Sequence, residues 1–172
     1  IEKIIKGLMR FSRYDEQRER SPADLNEIIQ ESILLITAKL HKFNVNLEVK
    51  PFHKILILCD SIEIEQVIVN LLSNAIDAAK EQQDTKERWI RVECFTEDQK
   101  VKIRILDSGL GITPEIESKM FEPFFTTKPM GEGTGLGLSI AKGIVDTHQG
   151  SLSLNRSFNN TCFEISFPIL QN

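Results

Sequence analysis

The sequence predicts an α+β fold, a two-layer α/β sandwich. We expect a mixed, mostly antiparallel sheet with helices packed on one face, plus an N-terminal helical stub. Two pairs of segments alternate apolar and polar residues around short polar turns, as β-hairpins do. These pairs are 89–95 with 101–106, and 151–157 with 162–168. Three other segments repeat apolar residues every three or four positions, which is typical of helices packed through one face. They run from 25 to about 40, from 61 to about 82, and from Gly135 to about His148.

Composition limits the classes of function. The chain has 172 residues, of which 41% are hydrophobic, enough for one globular domain and an appendage. Its net charge of −4 argues against a nucleic-acid-binding module, which would carry a basic face. Three scattered cysteines without metal-ligand spacing indicate a reducing compartment, so we expect this domain to be cytoplasmic. The chain starts inside a helical pattern, and we expect it to be a piece of a longer protein that is membrane-bound or soluble.

Residues 1–20 are predicted to be helical, with a single apolar stripe formed by Ile1, Ile4, Ile5, Leu8 and Phe11. So short a helix needs a partner to be stable. It either packs on the domain that follows or is the end of a dimerising helical bundle.

Helix and strand boundaries follow from local signals. Ser21 and Pro22 predict a helix start, with Ser21 as the N-cap. Short strands are expected at 45–49 and 55–59, and Asp60 or Ser61 caps the helix that follows. Gly150 is expected to terminate the last helix.

The helix over 61–82 combines a broad apolar face with a polar side that carries Asn70 and Asn74. Asn is a weak helix former, and two of them four positions apart point the same way. They are either ordinary solvated residues or part of a ligand site. An amide oxygen from Asn74 or Asn70 could bind Mg²⁺ without adding charge, while phosphates supply most of the other ligands.

Six of the nine glycines lie in two clusters, 107–111 and 131–137. The second cluster opens a helix, where backbone N–H groups at 135–138 could hold a polyphosphate. It lacks the G-x-x-x-x-G-K-[ST] pattern and the dinucleotide fingerprint. The alternative interpretation of this second cluster is a flexible surface loop.

Asp107 ends an apolar strand, so it either caps the turn or accepts a hydrogen bond from a ligand amino group.

Four motifs together resemble the N, G1, F and G2 boxes of sensor histidine kinases. In family order they are Q-V-I-V-N-L-L-S-N-A-I-D-A (66–78), D-S-G-L-G-I (107–112), F-E-P-F-F-T-T-K (121–128) and G-E-G-T-G-L-G-L-S-I (131–140). The resemblance covers about residues 21–168. It implies that 21–172 is an ATP-binding catalytic domain of the gyrase, chaperone, histidine-kinase and mismatch-repair superfamily. Residues 1–20, with L-M-R-F-S-R (8–13), resemble the end of the second helix of the dimerisation and phosphoacceptor hairpin.

The resemblance also implies roles for matching residues. Asn74 would bind Mg²⁺ with Asn70 close by, and Asp107 would bind the adenine amino group. A lid at about 112–134 would be anchored by Phe121 and Phe125, with Lys128 near the phosphates. Asn70 and Lys128 would serve catalysis. Nucleotide contacts would come from Asn70, Asn74, Asp107, Gly109, Gly111, Ile112, Lys128, Gly133, Thr134, Gly135, Leu136, Gly137 and Leu138.

Asn70 stands where ATP-hydrolysing members of the superfamily carry a Glu that polarises the attacking water. An amide cannot act as a general base. We therefore expect slow ATP hydrolysis and transfer of the γ-phosphoryl to a histidine. His41, His53 and His148 lack a phosphoacceptor context, so we expect the acceptor to lie upstream of Ile1.

Asp77 is a second departure from the family pattern, because many relatives carry a Lys at this position near the phosphates. We therefore expect Lys128, not position 77, to contact the phosphates.

The implied partners are ATP or ADP, the phosphoacceptor helix of the protein's own homodimer, and the receiver domain of a response regulator. Two rivals stay open: a serine-phosphorylating relative, and an interaction module that nucleotide binding reshapes without any phosphoryl transfer.

Overall fold

The computed structural model describes residues 19–129, 131 and 133–170. The predicted helix and apolar stripe at 1–20 lie almost entirely outside the described residues. The described part contains seven strands and four α-helices. In chain order they are β1 (Ser21–Asp24), α1 (Leu25–Phe43), β2 (Asn46–Val49), β3 (Leu56–Cys59), α2 (Ser61–Ala79), β4 (Trp89–Glu97), β5 (Lys100–Asp107), α3 (Pro114–Glu117), α4 (Gly137–Thr147), β6 (Ser151–Leu154) and β7 (Cys162–Pro168).

The main sheet has five strands in the order β2-β4-β5-β7-β6. Only β2 and β4 run parallel, and the other neighbouring strands are antiparallel. The helices cover one face of this sheet, where inward-facing residues such as Ile90, Ile103 and Ile165 are fully buried. The predicted two-layer α+β architecture is confirmed.

Helix α2 lies at the centre of the helical layer, in contact with α1, α4, β4 and β5. Its apolar face is buried throughout, and each fully buried Leu or Ile contributes about 1.5–3 kcal/mol. The face consists of Ile64, Val67, Ile68, Leu71, Leu72, Ala75, Ile76 and Ala79. The Asp60 carboxylate caps the helix by accepting hydrogen bonds from the N–H groups of Ile62 and Glu63, as the sequence predicts. The polar side of α2 is therefore held in a fixed direction.

The predicted start of α1 is wrong. Ser21 does not cap the helix, because Ser21–Asp24 is extended and pairs antiparallel with β3. Asp24 is the N-cap, and its carboxylate accepts a hydrogen bond from the Asn26 N–H. Pro22, read from sequence as a first-turn residue, is tolerated in β1 because a two-stranded sheet consists of edge strands.

The end of α4 also differs from the prediction. Gln149, not Gly150, takes the left-handed conformation after the helix, with φ 57°. Gly150 is required for space, because a Cβ there would lie 2.5 Å from the backbone oxygen of Ser166 and 2.8 Å from the Phe167 ring. The glycine lets the chain pass closely over β7.

Two glycine substitutions test this packing. Gly150→Ala should lower the free energy of unfolding by about 1–3 kcal/mol, because the backbone of β7 cannot yield to the added methyl group. Gly143→Ala is the matched control. A Cβ at Gly143, in the middle of α4, would meet nothing within 4 Å. That variant should gain about 0.5–1 kcal/mol from helix propensity. Urea denaturation measures both, and a stable Gly150→Ala variant would contradict the packing argument.

Candidate functional site

The polar side of α2 faces the N-terminus of α4. The Asn70 Nδ2 donates a hydrogen bond of 3.3 Å to the carbonyl of Gly137, the first residue of α4. A Cβ on Gly137 would lie 3.7 Å from Asn70 Oδ1, an ordinary contact distance. The structure thus brings together two residues that sequence reasoning placed in one site, although 67 positions separate them.

The N-terminus of α4 has no side-chain cap. Its N-cap, Leu136, provides no side-chain hydrogen bond to the first turn. The first N–H groups of α4 therefore lack side-chain acceptors among the described residues, at the positive end of the helix dipole. The turn that precedes α4 contains Gly135, which has a φ of 65°. This arrangement suits an anionic group.

The segment 121–128 folds back onto this turn. A Cβ on Gly135 would lie 2.3 Å from the backbone carbon of Phe124, and one on Gly133 would lie 2.6 Å from Thr126 Oγ1. Glycine is therefore needed at position 135 for two stretches of backbone to touch, whereas at Gly133 the side chains of Thr126 and Lys128 occupy the space. Phe121 and Phe125 are half-buried against the core, whereas the Phe124 side chain is 54% exposed.

Lys128 reaches from this segment to α2. Its Nζ lies 3.4 Å from Asn74 Oδ1 and 2.5 Å from Asp77 Oδ2. The other carboxylate oxygen of Asp77 is 2.8 Å from the ammonium of Lys39, which α1 supplies. Burial opposes the ionisation of Asp77, but the hydrogen bonds from Lys128 and Lys39 outweigh it and lower the pKa of this carboxyl. Asp77 is therefore a carboxylate shared by two ammonium groups.

Asp107 lies at the opposite end of the site and is only 2% exposed. Its Oδ1 accepts a hydrogen bond of 2.8 Å from the Gly109 N–H. Burial raises its pKa to about 7, and hydrogen bonds from Gly109 and from the Thr161 side chain offset this rise only in part. Gly109 also packs on α2, because a Cβ there would be 2.8 Å from Ala78 Cβ. The turn thus brings Asp107 close to the last turns of α2.

Two residues of this site escaped the sequence reasoning. Thr161 immediately precedes β7, in a loop whose sequence pattern gave no functional signal. Lys39 lies on α1, and its Nζ donates to the Ser73 hydroxyl and carbonyl oxygens as well as binding Asp77. Charge complementarity to Asp77 was the only available signal, and it cannot be recognised before the two helices are placed side by side.

The remaining predicted residues border the two ends. Gly111 has φ 88° with open space around its Cα, and Ile112 packs partly against the core. Thr134 Oγ1 accepts a long hydrogen bond from the N–H of Leu136, and Leu138 is partly buried. A cavity of about 200 Å³ is lined by Gly111, Ile112 and Thr161, among others, and by neither Asn70 nor Asn74. Among the described residues, no three His, Cys, Asp or Glu side chains cluster as a metal cage would.

Comparison with known proteins decides the family. Residues 59–171 match the model described as histidine kinase-, DNA gyrase B-, and HSP90-like ATPase. The chain belongs to this ATPase family. The matched residues contain α2, both glycine clusters and the segment between them, so the predicted resemblance to the ATP-binding catalytic domain of sensor histidine kinases is confirmed.

Individual relatives of this ATPase domain include a sensor protein and a sporulation kinase. The chain is 36% identical over 155 residues to sensor protein TdiS of Thauera aromatica, an alignment covering 88% of this chain and 28% of TdiS. It is 31% identical over 150 residues to sporulation kinase E of Bacillus subtilis, covering 86% and 20%. The chain therefore spans less than a third of the length of these two relatives.

Solved histidine-kinase structures share the fold. The nucleotide-free catalytic domain of histidine kinase ThkA superposes with a TM-score of 0.75 at 34% identity, covering 88% of this chain and 96% of that one. A structure of ThkA in complex with response regulator protein TrrA gives a TM-score of 0.77 at 28% identity, covering 98% of this chain and 48% of that one. None of the helices described in this ATPase domain is long and apolar enough to cross a membrane.

The raised pKa of Asp107 predicts a pH dependence of the stability of this ATPase domain. The ordinary value is 3.8 and the folded value about 7, so the folded chain keeps a proton that the unfolded chain has lost. Stability from this group is therefore present at low pH and is lost as pH rises from about 4 to 7. Relative to Asp107→Asn, the wild type should lose on the order of 3 kcal/mol across this window.

Urea denaturation at several pH values measures this difference. Asp146→Asn removes an exposed carboxylate from α4 and is the matched control. It keeps Asp107, so its stability should follow that of wild type across the same pH range. A constant difference between wild type and Asp107→Asn from pH 4 to 8 would contradict the buried, proton-holding state of Asp107.

Proposed function

We propose that this chain is the catalytic domain of a two-component sensor histidine kinase. It binds Mg·ATP and transfers the γ-phosphoryl to a histidine that lies upstream of Ile1. The observation that carries the proposal is the contact between Asn70 and Gly137, which sets the polar side of α2 against an uncapped helix N-terminus. Phosphates held there would lie beside amides and an ammonium, with no general base at position 70.

The phosphate end is built from backbone and one lysine. The N–H groups at 135–138 bind phosphate oxygens, supported by the dipole of α4. Gly133 and Gly135 allow the segment 121–128 to lie against this turn, so residues 112–134 act as a lid over the nucleotide. Lys128 is the ammonium on this lid nearest to α2, and it neutralises charge as the γ-phosphoryl leaves.

Asn74 is the residue that would hold Mg²⁺. Its Oδ1, with Asp77 Oδ2 on the next turn, already holds one cation, the Lys128 ammonium. Oxygen donors of this kind suit Mg²⁺, which keeps several water ligands and takes others from phosphates. Bound there, the ion would neutralise phosphate charge during transfer.

The base end is formed by Asp107. Its buried carboxylate accepts a hydrogen bond from the adenine amino group, which favours the ionised form of a group with a pKa near 7. Gly109 and Gly111 leave room for the base, and Ile112 contributes an apolar contact. Thr161 keeps the carboxylate oriented from the far side of the turn.

Asn70 favours transfer of the γ-phosphoryl to a histidine over hydrolysis of ATP. Its amide donates to the Gly137 carbonyl and can neither accept a proton from water nor polarise it as a carboxylate does. A neutral imidazole attacks without such help, because its nitrogen lone pair is already available. Catalysis then rests on positioning and on charge neutralisation by Lys128 and the metal.

None of the chain's own histidines suits the acceptor role. The ring of His148 is buried, with Nδ1 donating to the Ile144 carbonyl and Nε2 accepting from the Asp60 N–H. His41 and His53 are exposed on the surface, outside the site. The acceptor therefore comes from the dimerisation hairpin, of which residues 1–20 are the final stretch, in a homodimeric protein.

The phosphoryl group passes from that histidine to an aspartate of a response regulator. The relative ThkA has been solved with such a partner, which supports this assignment.

The three cysteines are buried free thiols, and burial raises the pKa of Cys94 and of Cys162 to about 12. Thiols that stay protonated and unpaired fit a cytoplasmic domain.

The fate of the γ-phosphoryl tests the proposal. Incubated with radiolabelled Mg·ATP, the 172-residue chain alone should release phosphate slowly and acquire no acid-labile label. Addition of a sensor-kinase hairpin that carries its phosphoacceptor histidine should give labelled phosphohistidine on the hairpin. A hairpin with that histidine replaced by Gln is the control. Rapid phosphate release by the chain alone, or phosphoserine on the acceptor, would contradict histidine transfer. Nucleotide binding without any transfer would favour a nucleotide-gated interaction module instead.

A further inference from the structure

The ammonium of Lys128 occupies a cation site formed by two oxygen donors of α2. Asn74 Oδ1 lies 3.4 Å from Nζ and Asp77 Oδ2 lies 2.5 Å from it. Positions 74 and 77 are three apart on a helix and share one face. Neutral amide and carboxylate oxygens together are the kind of ligands that hard divalent cations prefer.

The rest of the Asp77 environment is fixed. Lys39 binds the other carboxylate oxygen and is itself held by the Ser73 carbonyl at 3.0 Å and the Ser73 hydroxyl at 2.7 Å. Lys80, the residue that follows α2, is more distant, with Nζ 3.8 Å from Asp77 Oδ1. Lys128 belongs to a loop segment, whereas Lys39 belongs to a helix. Lys128 is therefore the cation that can leave Asp77 with the least rearrangement.

We propose that Lys128 stands in for the metal ion while the nucleotide is absent, and that Asp77 is a positioning residue for the metal. The inference rests on the proposed function, in which Asn74 binds Mg²⁺. Two cations cannot share the Asn74 oxygen without strong repulsion. When Mg·nucleotide enters, Lys128 moves to the phosphates, and Asp77 Oδ2 accepts a hydrogen bond from a water molecule that the metal carries.

This exchange explains why a carboxylate is tolerated at position 77. An unpaired carboxylate beside polyphosphate would weaken binding through repulsion. In this chain the charge of Asp77 is offset by Lys39 and Lys128 in the empty site, and by Lys39 and the metal in the filled one. Asp77 therefore favours metal-bound over metal-free nucleotide. Lys39 keeps its carboxylate oriented in both states.

Calorimetric titration with ADP tests the proposal through a metal-linkage ratio, the Kd in EDTA divided by the Kd in saturating Mg²⁺. Wild type should bind more tightly with Mg²⁺. Asp77→Asn should lower the ratio about tenfold, as loss of an outer metal partner does, with no weakening in EDTA because Lys128 is freed for the phosphates. Asp77→Glu, which keeps a carboxylate, should restore part of the ratio and exclude misfolding as the cause.

Lys128→Met tests the other half of the exchange. This variant lacks the ammonium that competes with the metal, so its metal-linkage ratio should exceed that of wild type. Its ADP binding in EDTA should be weaker, because Lys128 no longer contacts the phosphates. Asp146→Asn removes an equal charge from the surface of α4, where it pairs with Lys142, and should leave the ratio unchanged. A wild-type ratio in Asp77→Asn, or equal weakening with and without Mg²⁺, would overturn the proposal.

The same titrations separate this inference from the proposed function. Asn74→Ala should abolish the Mg²⁺ effect if Asn74 binds the metal. Absence of ADP binding by wild type, or a wild-type ratio in Asn74→Ala, would contradict the proposed nucleotide site itself. A ratio that depends on Asn74 but not on Asp77 would leave that site standing and overturn only the role given to Asp77 and Lys128.

Discussion

Helix α2 has one buried apolar face and one polar face, and the rest of the structure depends on this division. One face buries eight apolar residues against the sheet and the neighbouring helices, so the helix cannot rotate without exposing them. The other face consequently presents Asn70, Asn74 and Asp77 in a fixed direction. Core packing thus orients the two amides, and the segment 121–128 and the N-terminus of α4 are placed relative to them.

Charge and backbone shape hold the second half of the site. Lys128 joins the segment 121–128 to α2, and Gly135 lets the same segment lie against the turn before α4. The first contact is an ion pair between charged side chains, whereas the second depends on backbone shape. In the proposed function, a nucleotide would act on the ion pair, while the contact at Gly135 would stay closely packed.

Much of the fold was predictable from the sequence, because periodicity reports burial directly. The hairpins and the buried face of α2 follow from apolar spacing alone. The start of α1 was not predictable, because Ser21 and Pro22 suit a helix start as well as an edge strand, and pairing with β3 decides between them.

In the candidate site, Asn70, Asn74 and Asp107 could be identified from the sequence by their residue type and position. Lys39 and Thr161 did not, because their roles depend on contacts between distant segments.

The location of the bound metal tests the account most directly. In nuclear magnetic resonance spectra of the chain, small additions of Mn²⁺·ADP should broaden the amide signals of Asn70, Asn74 and Gly137 first, because the proposed metal site lies on α2 beside the N-terminus of α4. Signals from Arg156 and Phe158, which line the cavity near Gly111, should broaden less. Strongest broadening at Arg156 and Phe158, or uniform broadening without a centre, would contradict a nucleotide site built on α2.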